Sequence, residues 1–482
     1  MDLLISFSAL SGFLLLGTFL RAKVKFLQTI FLPASVIGGF IGLFLGPAVL
    51  GNNAVIPIPE DWISTYALLP GILIVPVVAT VPFGVKFKSR RDKQKQKALH
   101  KDLNYHENKK SSRTTRNILI MFAIMVIVSQ GQQALGIGIH YISEKIGMLT
   151  DAYPSFGTEI GGGFSGGHGT AGVIGSMLQS MNQPYWETAQ GVTVTTATFG
   201  IIGGILIGIV LINFGARKGY TQYLSGSESF PKDMKQGYQS DVDKQNKFGK
   251  ETTLSSSVDT LAFHVALILG GSGVAYGLLT LVQYFNVPII GSVPIWAYAI
   301  LVMYLIWWAM CQLNLSWIVD SQIASKIASM FTDFAVVAAI VSMPVQAVFS
   351  YFIPILIMII VIGAFTILAA YFLCRKYFSD FWFEKSVAVL GTSTGVFISG
   401  LLLLKMCDPE YKSPVLTEYS VGYSANSVLG FIMMPFMFGL LINQGLLTGF
   451  LLITGVVVLA IILLLSVNKP KKSTINEEMN VS

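Results

Sequence analysis

The stretch Gly161-Gly162-Gly163-Phe164-Ser165-Gly166-Gly167-His168-Gly169-Thr170-Ala171-Gly172 packs seven glycines into twelve residues. It lies in a chain of 482 residues that is 53% hydrophobic and 12% charged, with mean hydropathy +0.65. Most of that chain divides into apolar runs long enough to cross a bilayer. Each glycine is about 1 kcal/mol less favourable than alanine inside a helix, so this stretch predicts a broken helix. Irregular backbone at membrane depth persists only where protein or a water-filled cavity satisfies its N–H and C=O groups. Interrupted, glycine-rich segments of this kind build the solute sites of transporters.

Working outward, the apolar runs give spans at 2–20, 26–49, 63–85, 117–141, 188–214, 258–284, 292–312, 327–349, 352–374, 415–441 and 446–467. Continuous runs such as Phe352–Leu373 exclude a β-barrel, whose strands alternate in polarity. Residues 3–20 read as a first span and not as a signal peptide, because Asp2 precedes them in place of a basic region. The segments 156–180 and 383–406 are left over. Read as re-entrant hairpins, they leave eleven crossings, with the N-terminus outside and the C-terminus cytoplasmic.

Charge supports that layout. Twelve Lys/Arg and three acids fall between Lys86 and Arg116, a basic cytoplasmic loop, and only Lys145 of the 32 basic residues falls outside. The net charge of +7 therefore reflects membrane topology and contact with lipid head groups, with no nucleic-acid partner. Cys311, Cys374 and Cys407 are scattered among apolar neighbours and read as small core residues.

With this count, spans 1–5 and 6–10 run in opposite senses. The fold expected is an all-α polytopic membrane protein of two inverted five-helix repeats, each with a re-entrant hairpin, plus one extra C-terminal transmembrane helix. Its units are a first repeat at 1–214, a cytoplasmic linker at 215–257, a second repeat at 258–441, an additional span at 446–467 and a cytoplasmic tail at 468–482. Internal echoes agree: Pro33 with Pro294, Val77-Val78-Ala79 with Val336-Val337-Ala338, and Glu187 and Gly191 with Glu418 and Gly422. Inverted repeats that bring two hairpins to the midplane are common among secondary transporters.

The string Phe164-Ser165-Gly166-Gly167-His168-Gly169-Thr170 resembles the hairpin signature of the bacterial sodium/glutamate symporter family. Ala197-Thr198-Phe199-Gly200 with Gly203, Gly204 and Gly208, Pro33 with Gly38-Gly39, and Phe431 through Pro435 are similar to further motifs of that family. The resemblance implies sodium-coupled uptake of glutamate, a homodimer in the cell membrane, and elevator-like alternating access. The chain departs from the family at Gly391-Thr392-Ser393-Thr394-Gly395, where a Gly-Ala-Thr-Pro-Thr type tip is usual. Asn443 replaces an expected acid and Glu159 an expected small residue.

A dicarboxylic amino acid needs N–H donors, and Na⁺ needs hard oxygens. Substrate contacts are therefore expected at Ser165, Gly166, Gly167, His168, Gly169 and Thr170 on the first hairpin. Thr392, Ser393 and Thr394 are their counterparts on the second. Candidate Na⁺ ligands are Thr198, Asn426, Ser427, Asn443 and Glu159, with no other cofactor implied. His168 either donates to a substrate carboxylate or ties the tip to a neighbour; Glu159 is either a rim residue or an ion ligand. His264 reads as an internally bonded packing residue. A proton- or cation-coupled transporter of another small solute is the alternative. Gly163-Phe164-Ser165-Gly166-Gly167 also matches G-x-S-x-G, so a remote alternative is an intramembrane serine protease, which needs a histidine on Ser165.

Overall fold

The computed structural model describes residues 2–29, 32–84, 105–149, 151–223, 236–239, 241, 243, 245, 249–254, 256–285, 294–408 and 412–467. Among them there is no strand, and eleven helices are long and apolar enough to cross a membrane. The protein is a multi-pass, all-helical membrane protein.

In chain order the helices that carry the fold are α1 (Asp2–Lys23), α2 (Ala34–Leu45), α3 (Glu60–Ala79), α4 (Tyr105–Lys145), α5 (Thr158–Ser180) and α6 (Trp186–Arg217). They continue with α7 (Thr260–Tyr284), α8 (Ile295–Gln312), α9 (Ser321–Val341), α10 (Phe352–Tyr377), α11 (Trp382–Ser393), α12 (Phe397–Cys407), α13 (Val415–Gln444) and α14 (Leu446–Val467).

Several boundaries differ from the hydropathy reading for local reasons. The second span begins at Ala34 and not at residue 26, because Pro33 stands at its N-cap in extended conformation (φ −58°, ψ 145°), and a residue preceding proline is steered away from the α region. The eighth begins at Ser321 because the Asp320 carboxylate accepts from the Gln322 and Ile323 amides, capping the helix. Helix α4 starts at Tyr105, so the C-terminal part of the expected 86–116 loop is helical. The rest of that loop, parts of the 215–257 linker and the 468–482 tail lie outside the described residues.

The packing pairs the helices reciprocally. Helix α1 packs on α2 and α9, and α7 packs on α8 and α3. Helix α2 packs on α9 as α8 does on α3, while α3 and α9 pack on each other. The echo at Glu187 and Glu418 is not matched in environment: Glu187 is exposed and Glu418 is buried. Helix α14 lies along α4.

Segment α5 is two helices joined at Gly167, whose φ of 61° and ψ of −159° are not helical. The chain turns back there. A Cβ on Gly162 would stand 2.8 Å from Ile174 Cδ1, whereas twelve residues of straight helix would separate them by roughly 18 Å. Helices α11 and α12 fold back likewise: a Cβ on Gly391 would stand 2.8 Å from the Gly400 Cα. Both leftover segments are thus helical hairpins, with arms 158–166 and 168–180 in the first and α11 and α12 in the second.

Candidate functional site

The two turns meet. A Cβ on Gly167 would stand 2.5 Å from Val396 Cγ1 and 3.5 Å from the Gly395 carbonyl oxygen. Four helix termini therefore converge: the C-terminal ends of the 158–166 arm and α11, and the N-terminal ends of the 168–180 arm and α12. Amide-rich N-termini favour anions, and carbonyl-rich C-termini favour cations.

Helix α6 backs both hairpins. A Cβ on Gly163 would stand 2.7 Å from the Thr193 carbonyl oxygen and 2.8 Å from the Ala197 nitrogen. One helical turn on, a Cβ on Gly200 would meet the Thr394 carbonyl oxygen at 2.5 Å and Phe164 Cδ1 at 2.9 Å. Gly204 faces the Thr394 hydroxyl so closely that only a glycine fits. Small residues at helix interfaces let backbones approach in this way.

Of the first-hairpin candidates, Ser165 turns its hydroxyl onto the Gly161 carbonyl at 2.7 Å. His168 is buried, with its Nε2 2.9 Å from Thr198 Oγ1. The Thr198 hydroxyl is 3.0 Å from the Val194 carbonyl and donates to it, so the imidazole is the donor in the His168–Thr198 bond. The reading of His168 as a tie between tip and neighbour thus has its geometry here, to a hydroxyl and not to a carbonyl. Thr170 and Gly166 lie against each other. Gly169 alone among the glycines of this tip has open space where a Cβ would be.

On the second hairpin Thr392, Ser393 and Thr394 are all buried. Thr392 bonds the Ala388 carbonyl at 3.0 Å and the Tyr419 hydroxyl. Thr394 donates to the Leu390 carbonyl at 2.9 Å, and the Ser393 carbonyl accepts from Gln132 at 2.6 Å.

The candidate ion ligands are dispersed. Asn426 Oδ1 accepts from the Ser129 hydroxyl at 3.1 Å, and Ser427 follows it on the same helix. Asn443 is exposed and its amide is turned onto Gly439 of its own helix at 2.8 Å. Glu159 is wholly buried within the protein. The 151–157 segment folds over it: the Ser155 hydroxyl donates to its carboxylate at 3.2 Å, and Tyr153 stacks on Tyr185 with ring centroids 4.6 Å apart.

Two polar groups escaped the sequence reading. Lys385, in the first turn of α11, is wholly buried with its Nζ 2.8 Å from Glu418 Oε2, and Asn117 donates to the other Glu418 oxygen at 2.8 Å. The pair pins the base of the second hairpin to α13 and α4. In mid α4, Ser129-Gln130-Gly131-Gln132-Gln133 is a polar interruption that reaches the second hairpin through Gln132.

The serine-protease reading fails on geometry. His168 is engaged with Thr198. His264 Nε2 accepts from the Asp320 amide at 2.8 Å, so its Nδ1 carries the proton and donates to the Thr260 carbonyl at 2.7 Å. That makes His264 the internally bonded residue expected. His140 rests edge-on against Phe156.

Among the described residues no three of His, Cys, Asp and Glu gather in a way that could hold a metal ion. A search of curated proteins finds no match. The family described as sodium/glutamate symporter matches residues 109–382, from α4 through the first residue of α11, leaving the first three spans and nearly all of the second hairpin outside the match. More than half of the chain is matched, and the chain belongs to the sodium/glutamate symporter family.

Proposed function

We propose that this protein carries glutamate or a related dicarboxylic amino acid into the cell together with Na⁺, binding both where its two hairpin turns meet. The observation that carries this reading is the contact of Gly167 with Gly395 and Val396. It sets two helix N-termini and two helix C-termini around one point, complementary to carboxylates and to a cation respectively. Gly169, with open space above its backbone, is where a carboxylate approaches the first turn. Ser165, Gly166, Gly167, His168 and Thr170 shape that side of the site, and Thr392, Ser393 and Thr394 shape the other. Of the expected sodium ligands, Thr198 and Asn426 remain assigned by their place on the helices flanking the hairpins, and Ser427 and Asn443 by sequence alone.

Both hairpins are re-entrant in this reading, and residues 1–214 and 258–441 form inverted repeats, with 446–467 as an added span. Reciprocal packing of α1, α2 and α9 against α7, α8 and α3 supports the repeat. The N-terminus is outside, the C-terminus cytoplasmic, and the protein a homodimer in the cell membrane. The hairpins, α4, α6, α10 and α13 move as a carrier against α1–α3 and α7–α9.

Proteoliposomes with an inward Na⁺ gradient test the function. Radiolabelled glutamate is concentrated, excess unlabelled dicarboxylic amino acids compete, and choline in place of Na⁺ stops accumulation. Equal accumulation with choline would overturn sodium coupling, and simple equilibration would identify a channel.

A second reading, proton coupling, is favoured by Glu159, a wholly buried carboxylate on the first hairpin. A buried carboxylate at membrane depth is a candidate for ion or proton binding. Accumulation driven by an inward proton gradient without Na⁺, and lost in Glu159→Gln, would support it.

A further inference from the structure

Helices α4 and α10 cross where a Cβ on Gly131 would meet Phe365 Cζ at 2.6 Å. The next residue on each helix is polar. Gln132 is wholly buried; its Nε2 donates to Thr366 Oγ1 at 2.8 Å and to the Ser393 carbonyl at 2.6 Å. Thr366 gives its own proton to the Ile362 carbonyl at 2.7 Å, so toward Gln132 its oxygen can only accept. Ser393 ends α11. Its carbonyl belongs to the last turn, which lacks helical partners and carries the negative end of the helix dipole.

The amide NH₂ of Gln132 thus bridges two acceptor oxygens, a place where a small cation could stand in for it. At the same time Gln132 Oε1 has no hydrogen-bond partner among the described residues. An unpaired buried acceptor is unfavourable, and a half-turn of the amide would turn Oε1 onto a cation bound between the two acceptor oxygens. Oε1 then joins Thr366 Oγ1 and the Ser393 carbonyl as hard, neutral oxygens, the ligand type that coupling sodium takes at broken helices.

We propose that Gln132, Thr366 and the Ser393 carbonyl bind a coupling Na⁺ that ties the second hairpin to α4 and α10. This rests on the sodium-coupled reading above and names the ion's place within it. Filling the site fixes the end of α11 beside the two turns, so solute binding is favoured after sodium has bound.

The test uses the full-length protein, with two readouts. One is the sodium concentration for half-maximal glutamate uptake. The other, which needs no solute, is the rise in melting temperature in NaCl relative to choline chloride. Gln132→Leu and Thr366→Val should each raise the half-maximal sodium concentration about tenfold or more, in the range that weakened ligand shells produce, and should lose the NaCl-specific stabilisation. Gln132→Glu, which keeps a side-chain oxygen, and Thr366→Ser, which keeps the hydroxyl, should retain it. Wild-type sodium affinity and stabilisation in both Gln132→Leu and Thr366→Val would overturn the site while leaving sodium-coupled uptake standing. A wild-type protein with neither sodium-dependent uptake nor stabilisation would overturn both. Should Gln132→Leu fail to fold, Thr366→Val decides by the same two readouts.

Discussion

Gly167 and Val396 touch across the turns of two different hairpins, with 2.5 Å between a Cβ built on Gly167 and Val396 Cγ1. The contact is tight because Gly167 occupies φ 61°, ψ −159°, a region open to essentially no other residue and costing about 1–3 kcal/mol elsewhere. Both backbone angle and neighbour demand glycine there.

Gly167→Ala is therefore expected to abolish uptake and lower thermal stability together. Gly169→Ala is expected to leave abundance and melting temperature unchanged, since nothing lies within 4 Å of the added Cβ, while raising the KM for glutamate several-fold. Unaltered kinetics in Gly169→Ala, measured in proteoliposomes, would remove the first turn from the substrate site.

The buried pair Lys385–Glu418 predicts an asymmetric mutational response. Removing one partner strands a charge in the interior and should cost about 3–5 kcal/mol, seen as loss of monodisperse protein on heating. Replacing both, as in Lys385→Met with Glu418→Leu, should recover much of that loss, because well-packed apolar pairs often replace buried ion pairs without penalty. Additive losses in the double variant would show that the two residues act independently.

Neighbouring glycines on α6 should respond in opposite directions. A Cβ on Gly203 meets nothing within 4 Å, whereas one on Gly204 runs into Thr394. Gly203→Ala should stabilise by up to about 1 kcal/mol through helix propensity, and Gly204→Ala should destabilise and slow uptake. Melting curves of the two purified variants check this, and equal shifts would contradict the packing of the second hairpin on this face.

The architecture was legible where one physical signal dominated. Unbroken apolar runs marked the spans, and the seven glycines of 161–172 marked the first break, because so many glycines disfavour a continuous helix. The second turn was found as a leftover segment in spite of its departure from the family pattern. What the sequence left hidden depends on distant partners. Lys385 looked like one more basic residue on the cytoplasmic side, since nothing local announces that Glu418, on a different helix, is 2.8 Å away. The burial of Glu159 was hidden because it comes from the loop before it, where Tyr153 packs edge-on against Phe156. Gln132 could have been noticed: a glutamine cluster in the middle of an apolar span needs internal partners.

The glycine face of α6 has a mechanical corollary. One continuous rod is wedged into both folded-back segments, by Thr193 and Ala197 against Gly163 and by Gly200 and Gly204 against Thr394. Neither segment can be displaced along that rod without shearing a glycine contact that tolerates no extra atom. The two halves of the cradle are thereby geared to each other, and opening one half alone requires unseating the rod.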